Sequence, residues 1–99
     1  MLGMSLAGKR LGILGMGRIG QAVAYRARSF GMTIHYHNRH KIAGQENSQF
    51  HVTLDSLLAH SDILSINCAS TPQTRGLINA RTLALLPKGA IVVIHVIEN

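Results

Sequence analysis

The stretch that most constrains this chain is LGILGMGRIG, residues 11–20. Leu11-Gly12-Ile13-Leu14 is a short apolar run that stops at glycines, which predicts a buried strand. From Arg18 to Phe30, apolar residues at Ile19, Ala22, Val23, Ala27 and Phe30 recur at helical spacing. Between the two, Gly15-Met16-Gly17-Arg18-Ile19-Gly20 fits the pattern G-x-G-x-x-G. The pattern is weak alone and gains meaning where it leaves a strand and opens a helix. The three glycines then serve different ends. Gly15 makes the tight turn, Gly17 lets a ligand approach the backbone, and Gly20 lets the helix pack close to the strand. The helix start offers free N–H groups and a positive dipole end, a setting for phosphate.

The rest of the chain repeats the alternation. Gly31 closes the helix, and TIHYH at 33–37 is β-branched and aromatic, a second strand. Residues 38–49 are polar and loop-like, and 50–53 form a short third strand. Leu54, Leu57 and Leu58 predict a helix near 54–60, and DILSIN at 62–67 a fourth strand. Asn79 reads as the N-cap of a helix that carries Leu83 and Leu86 and ends at Pro87-Lys88-Gly89. AIVVIHVI at 90–97 is a fifth, continuously apolar strand. Strands alternating with helices predict an α/β fold, a Rossmann-type parallel sheet of about five strands in order 3-2-1-4-5. Residues 1–99 read as a single, partial dinucleotide-binding domain with no substrate domain.

The charge pattern narrows the ligand. The formal net charge is +6, seven of the ten Lys and Arg residues lie in the first 41 positions, and no Asp or Glu precedes Glu46. Such a bias favours an anionic partner, either nucleic acid or a phosphorylated cofactor. An NAD site usually carries an acidic residue about 20 positions after the glycine turn, to bind the ribose hydroxyls. Here the second strand runs into His37-Asn38-Arg39-His40-Lys41. A guanidinium and an ammonium suit the extra 2′-phosphate of NADP, so Asn38, Arg39 and Lys41 predict NADP in preference to NAD.

Other classes find little support. No apolar run reaches the roughly 18 residues of a membrane span, and the first ten residues lack the apolar core of a signal peptide, so a soluble cytoplasmic protein is expected. Cys68 is the one cysteine, which precludes an internal disulfide and a zinc ribbon. The six histidines show no zinc-site spacing, and no metal is expected. His37 or His40 stands where protonation adds to 2′-phosphate binding. With two Tyr, two Phe and no Trp there is little surface for stacking bases, so a nucleic-acid module rests on charge alone.

Several segments together resemble a known family. LGILGMGRIGQAVAYRARSFGM, IHYHNR, SDILSINCASTPQTRGLIN and LALLPKGAIVV, spanning about Leu6 to Val93, are similar to the cofactor domain of D-isomer-specific 2-hydroxyacid dehydrogenases. The glyoxylate/hydroxypyruvate reductase branch is the nearest in pattern, since its members often carry Asn-Arg after the second strand and prefer NADPH. The resemblance implies that Arg18 and Ile19 present backbone N–H groups to the pyrophosphate. It implies that Cys68, Ala69 and Ser70 border the adenosine and its ribose, and that Thr74 reaches the phosphate side. Family members usually have Pro where this chain has Ala69.

After Val93 the sequence departs from the family, which continues Asn-Thr-(Ala/Ser)-Arg-Gly with an arginine for the substrate carboxylate. Here the chain reads Ile94-His95-Val96-Ile97-Glu98-Asn99, and no position matches that arginine or the family's later glutamate and histidine. His95 sits in an apolar run with no carboxylate beside it and reads as structural. The expectation is a truncated dehydrogenase (a subcloned, degraded or frameshifted piece) with no catalytic residues of its own. An apolar fifth strand at a sheet edge then predicts self-association through residues 90–97. The competing expectations are a basic nucleic-acid-binding module and an assembly fragment that binds nothing.

Overall fold

A computed structural model describes residues 5–67 and 76–95. Five strands form one sheet: β1 Arg10–Leu14, β2 Thr33–His37, β3 Gln49–Phe50, β4 Ile63–Ile66 and β5 Ile91–Ile94. The order across it is β3-β2-β1-β4-β5, with every neighbouring pair parallel. Among the described residues, three helices connect the strands: α1 Arg18–Ser29, α2 Leu54–Ala59 and α3 Ala80–Leu83. The expected α/β architecture and strand order are both present.

Strand β1 lies at the centre, and its last four residues are buried. Alternation along it builds two cores. Leu11 and Ile13 join Met16, Ala24, Ala27, Met32, Ile34 and Tyr36 on the α1 side. Leu14 joins Leu57, Leu58 and Leu64 on the other side, where Leu85, Leu86 and Val92 add cover. Gly12 faces this second layer. A Cβ there would lie 1.8 Å from Ser61 Oγ, so only a glycine allows the end of α2 to approach the strand.

The element ends shift relative to expectation. The inner face of α1 is Gly20, Ala24 and Ala27, whereas Ile19 and Phe30 are 43% and 63% exposed. Small residues win this face because the helix lies close to the sheet. Strand β3 is two residues long and ends at Phe50, although the His51 N–H still donates to the Tyr36 carbonyl at 2.8 Å. Helix α3 stops at Leu83, well before Pro87. Its start is as expected: Asn79 Oδ1 accepts from the Thr82 N–H at 3.0 Å and Thr82 Oγ1 from the Asn79 N–H at 2.8 Å, a reciprocal cap. Strand β5 covers Ile91–Ile94 and is mostly exposed; Ala90 and His95 of the expected 90–97 fall outside it, and residues 96 and 97 lie outside the described residues.

Candidate functional site

The site forms where β1 ends and α1 begins. Gly15 takes φ 91°, a left-handed conformation that glycine adopts at little cost. Its N–H donates to the His37 carbonyl at 3.1 Å, which ties the turn to the end of β2. A Cβ on Gly20 would come within 2.4 Å of the Gly15 carbonyl oxygen, so Gly20 is fixed by helix–turn packing. Gly17 differs. Its φ of −82° is ordinary, and a Cβ there meets no protein atom within 4 Å. The fold itself makes no demand for glycine at that point, and the open side is the one a ligand would use.

Gly17 is also the N-cap of α1, and no side chain caps the helix. The first turn carries no acidic residue. Arg18 and Ile19, the first two helical residues, therefore leave backbone N–H groups and a positive dipole end without an internal anion. This donor set fits a pyrophosphate.

Asn38 closes the arrangement in a way the sequence did not reveal. Its Oδ1 accepts the Met16 N–H at 3.3 Å, so the side chain braces the middle of the glycine turn. Gln21 Nε2 adds a bond to the Met16 carbonyl at 3.1 Å. The brace spans 22 residues of sequence, and nothing local signals it. Arg39, His40 and Lys41 follow and are exposed. Among the described residues the acids are engaged elsewhere: Asp62 with Arg10, Asp55 with Arg81, and Glu46 with the Gly44 N–H. Cys68, Ala69, Ser70 and Thr74 lie outside the described residues. Neighbouring Asn67 is buried, and its N–H donates to the Leu14 carbonyl at 2.9 Å, which brings the end of β4 beside the turn.

The fold also groups histidines that are far apart in sequence: His51 and His60 gather with His35 on the α2 side of the sheet. His37 lies on the same strand face as His35, and its Nδ1–H donates to the His51 carbonyl at 2.8 Å. No group of three or more His, Cys, Asp or Glu among the described residues is arranged to hold a metal ion. His95 stands just past β5, exposed, with its N–H on the Ile66 carbonyl at 2.9 Å. No helix among the described residues is long and apolar enough to cross a membrane.

Comparison with known proteins agrees with this geometry. The profile of a family described as D-isomer specific 2-hydroxyacid dehydrogenase, NAD binding domain, matches residues 1–95. A glycerate dehydrogenase of Hyphomicrobium methylovorum is 45% identical over 97 residues, covering 94% of this chain and 30% of the relative. A glyoxylate reductase of Aeropyrum pernix is 48% identical over 96 residues, covering 94% and 28%. The crystal structure of a glyoxylate reductase from Paecilomyes thermophila superposes with a TM-score of 0.86 at 46% identity, covering 95% of this chain and 29% of that one. The chain thus spans about 30% of the length of the curated relatives it matches.

Proposed function

The chain belongs to the D-isomer specific 2-hydroxyacid dehydrogenase family as an NAD-binding domain, and we propose that its cofactor is NADP in preference to NAD. The observation that carries this reading is the end of β2. Asn38 holds the glycine turn through Met16, and the next residue is an exposed arginine with no acidic partner among the described residues. A carboxylate at this point would bind ribose hydroxyls and repel a 2′-phosphate, whereas a guanidinium grips that phosphate through paired N–H groups. In this reading Gly15, Gly17 and Gly20 shape the turn, and Arg18 and Ile19 donate their backbone N–H groups to the pyrophosphate. Arg39 and Lys41 take the 2′-phosphate. Cys68, Ala69, Ser70 and Thr74 line the adenosine and phosphate side, as the family resemblance implies.

The whole protein is proposed to reduce a small 2-oxoacid such as glyoxylate or hydroxypyruvate. NADPH, when bound, supplies the hydride. The residues here bind and orient it, since no position in this chain matches the family's catalytic arginine, glutamate or histidine. These 99 residues by themselves are therefore expected to give no turnover with either substrate. A cytoplasmic setting with Cys68 reduced goes with the same reading. We also propose a self-associated state through the β5 edge, where Ile91, Val93 and Ile94 are 43%, 40% and 62% exposed.

Titration with NADPH, NADH and a short DNA duplex tests the assignment. The expected result is NADPH binding tighter than NADH, with no binding of DNA. Arg39→Asp should cut the NADPH preference by roughly 10- to 100-fold, the scale of one lost charge-assisted contact plus repulsion. An unchanged NADPH-to-NADH ratio in that variant overturns the NADP assignment. DNA binding with no dinucleotide binding overturns the cofactor reading altogether.

A further inference from the structure

The histidines of β2, the loop after β3 and the end of α2 form one continuous array. His35 Nδ1 lies 2.8 Å from His51 Nε2, and His51 Nδ1 lies 2.7 Å from Ser56 Oγ. His60 stacks on His35 at 5.9 Å between ring centres and tilts against His51 at 4.9 Å, while its Nδ1–H donates to the Ser56 carbonyl at 2.7 Å. His51 is buried, His35 is half-buried and His60 is exposed. The His51 backbone clamps β2 as well: its N–H donates to the Tyr36 carbonyl, and its own carbonyl accepts from His37.

We infer that the His35–His51–His60 array is a proton-sensitive latch, which holds the segment 51–60 against β2 at neutral pH and releases it in mild acid.

The supply of hydrogens between the rings sets this behaviour. With neutral rings, one hydrogen sits in the His35–His51 gap and one in the His51–Ser56 gap, and both gaps are satisfied. One added proton fits on an outer ring nitrogen, but it puts a charge in a half-buried stack. If His35 and His51 are both charged, two N–H groups face each other across 2.8 Å, and that contact must open. His60, exposed at the end of α2, is the ring of the three nearest to water, held by its bond to the Ser56 carbonyl.

The charged groups around the array leave this balance in place. Arg10 of β1 opposes a charge on His35, and Asp62 favours one, but these two residues are ion-paired at 3.0 Å. Asp55 of α2 is paired with Arg81. His37 adds to the repulsion felt by His51. Burial first, then His51 and His60, push the His35 imidazole down to about 4, and burial followed by His60 and His37 holds His51 below its ordinary value.

Amide hydrogen exchange at pH 7.5 and 5.0, corrected for intrinsic rates, tests the latch without any cofactor, so its failure leaves the dinucleotide reading untouched. The His51 and Leu57 amides should lose at least tenfold in protection at pH 5.0 relative to the Ile13 and Leu14 amides of β1. His60→Gln, a change at an exposed position, should shrink that step several-fold while keeping the protection at pH 7.5. Equal loss across segment 51–60 and β1 overturns the proposal, because it reports global unfolding. So does a step that is absent in the unaltered chain or undiminished in His60→Gln.

Discussion

Three glycines of one turn answer to three different demands, and substitution separates them. Gly20→Ala forces a Cβ against the Gly15 carbonyl, so stability should fall by roughly 1–3 kcal/mol, read as a lower denaturant midpoint. Gly17→Ala meets open space and should cost at most about 0.5–1 kcal/mol, the difference between glycine and alanine at an N-cap. Its dinucleotide affinity should nevertheless drop at least tenfold, because the new methyl occupies the ligand's side. The glycine pattern was legible in the sequence because all three positions fall at fixed spacing within one short strand–turn–helix unit. Asn38 was legible only as a neighbour of Arg39. Its bond to Met16 depends on how β1 and β2 align, a register that no short window of sequence specifies.

Elements were legible where an apolar period and a cap coincide. Asn79 is an example, and Asn79→Ala should cost about 1 kcal/mol, seen as a melting temperature lower by about 4–8 °C for a domain of this size. The face of α1 was read less well, because hydrophobicity ranks Ile19 and Phe30 above Ala24 although the close approach of helix to sheet selects small side chains. The histidine array was invisible for a similar reason: His35, His51 and His60 meet only through tertiary packing. It has a stability consequence whose sign is fixed. The folded chain binds fewer protons at His35 and His51 than the unfolded chain does, so their contribution is fully present above about pH 6.5 and is lost as pH falls, for His35 toward about 4. Asp62 is held below the usual carboxylate range by its bonds to Arg10, so its contribution fades only at still lower pH. Urea melts between pH 7.5 and 4.5 should show stability falling with acid, and His35→Asn should flatten the slope.

At the scale of the whole molecule, the described residues close the sheet on neither edge. Strand β3 offers two residues at one side, while β5 at the other pairs only with β4 among the described residues and exposes three large aliphatic side chains. An open apolar edge invites a second copy. Light scattering over a concentration series should show a rise toward dimer mass, and Val93→Lys should hold the chain monomeric. A clean monomer for the unaltered chain at high concentration removes this part of the account. Fold class and strand order were legible because parallel βαβ units leave few topologies open. The apolar run at 90–97 suggested self-association, but the sequence carries no pattern that specifies a pairing partner for that strand.

The central claim is that the turn from Gly15 to Gly20 binds the phosphates of a nicotinamide dinucleotide. Backbone amide chemical shifts followed during a titration with NADPH measure it most directly. The account predicts the largest saturable shifts at Gly17, Arg18 and Ile19, with Asn38 and Arg39 shifting more for NADPH than for NADH. Saturation with those amides unmoved, or no saturation at all, contradicts it.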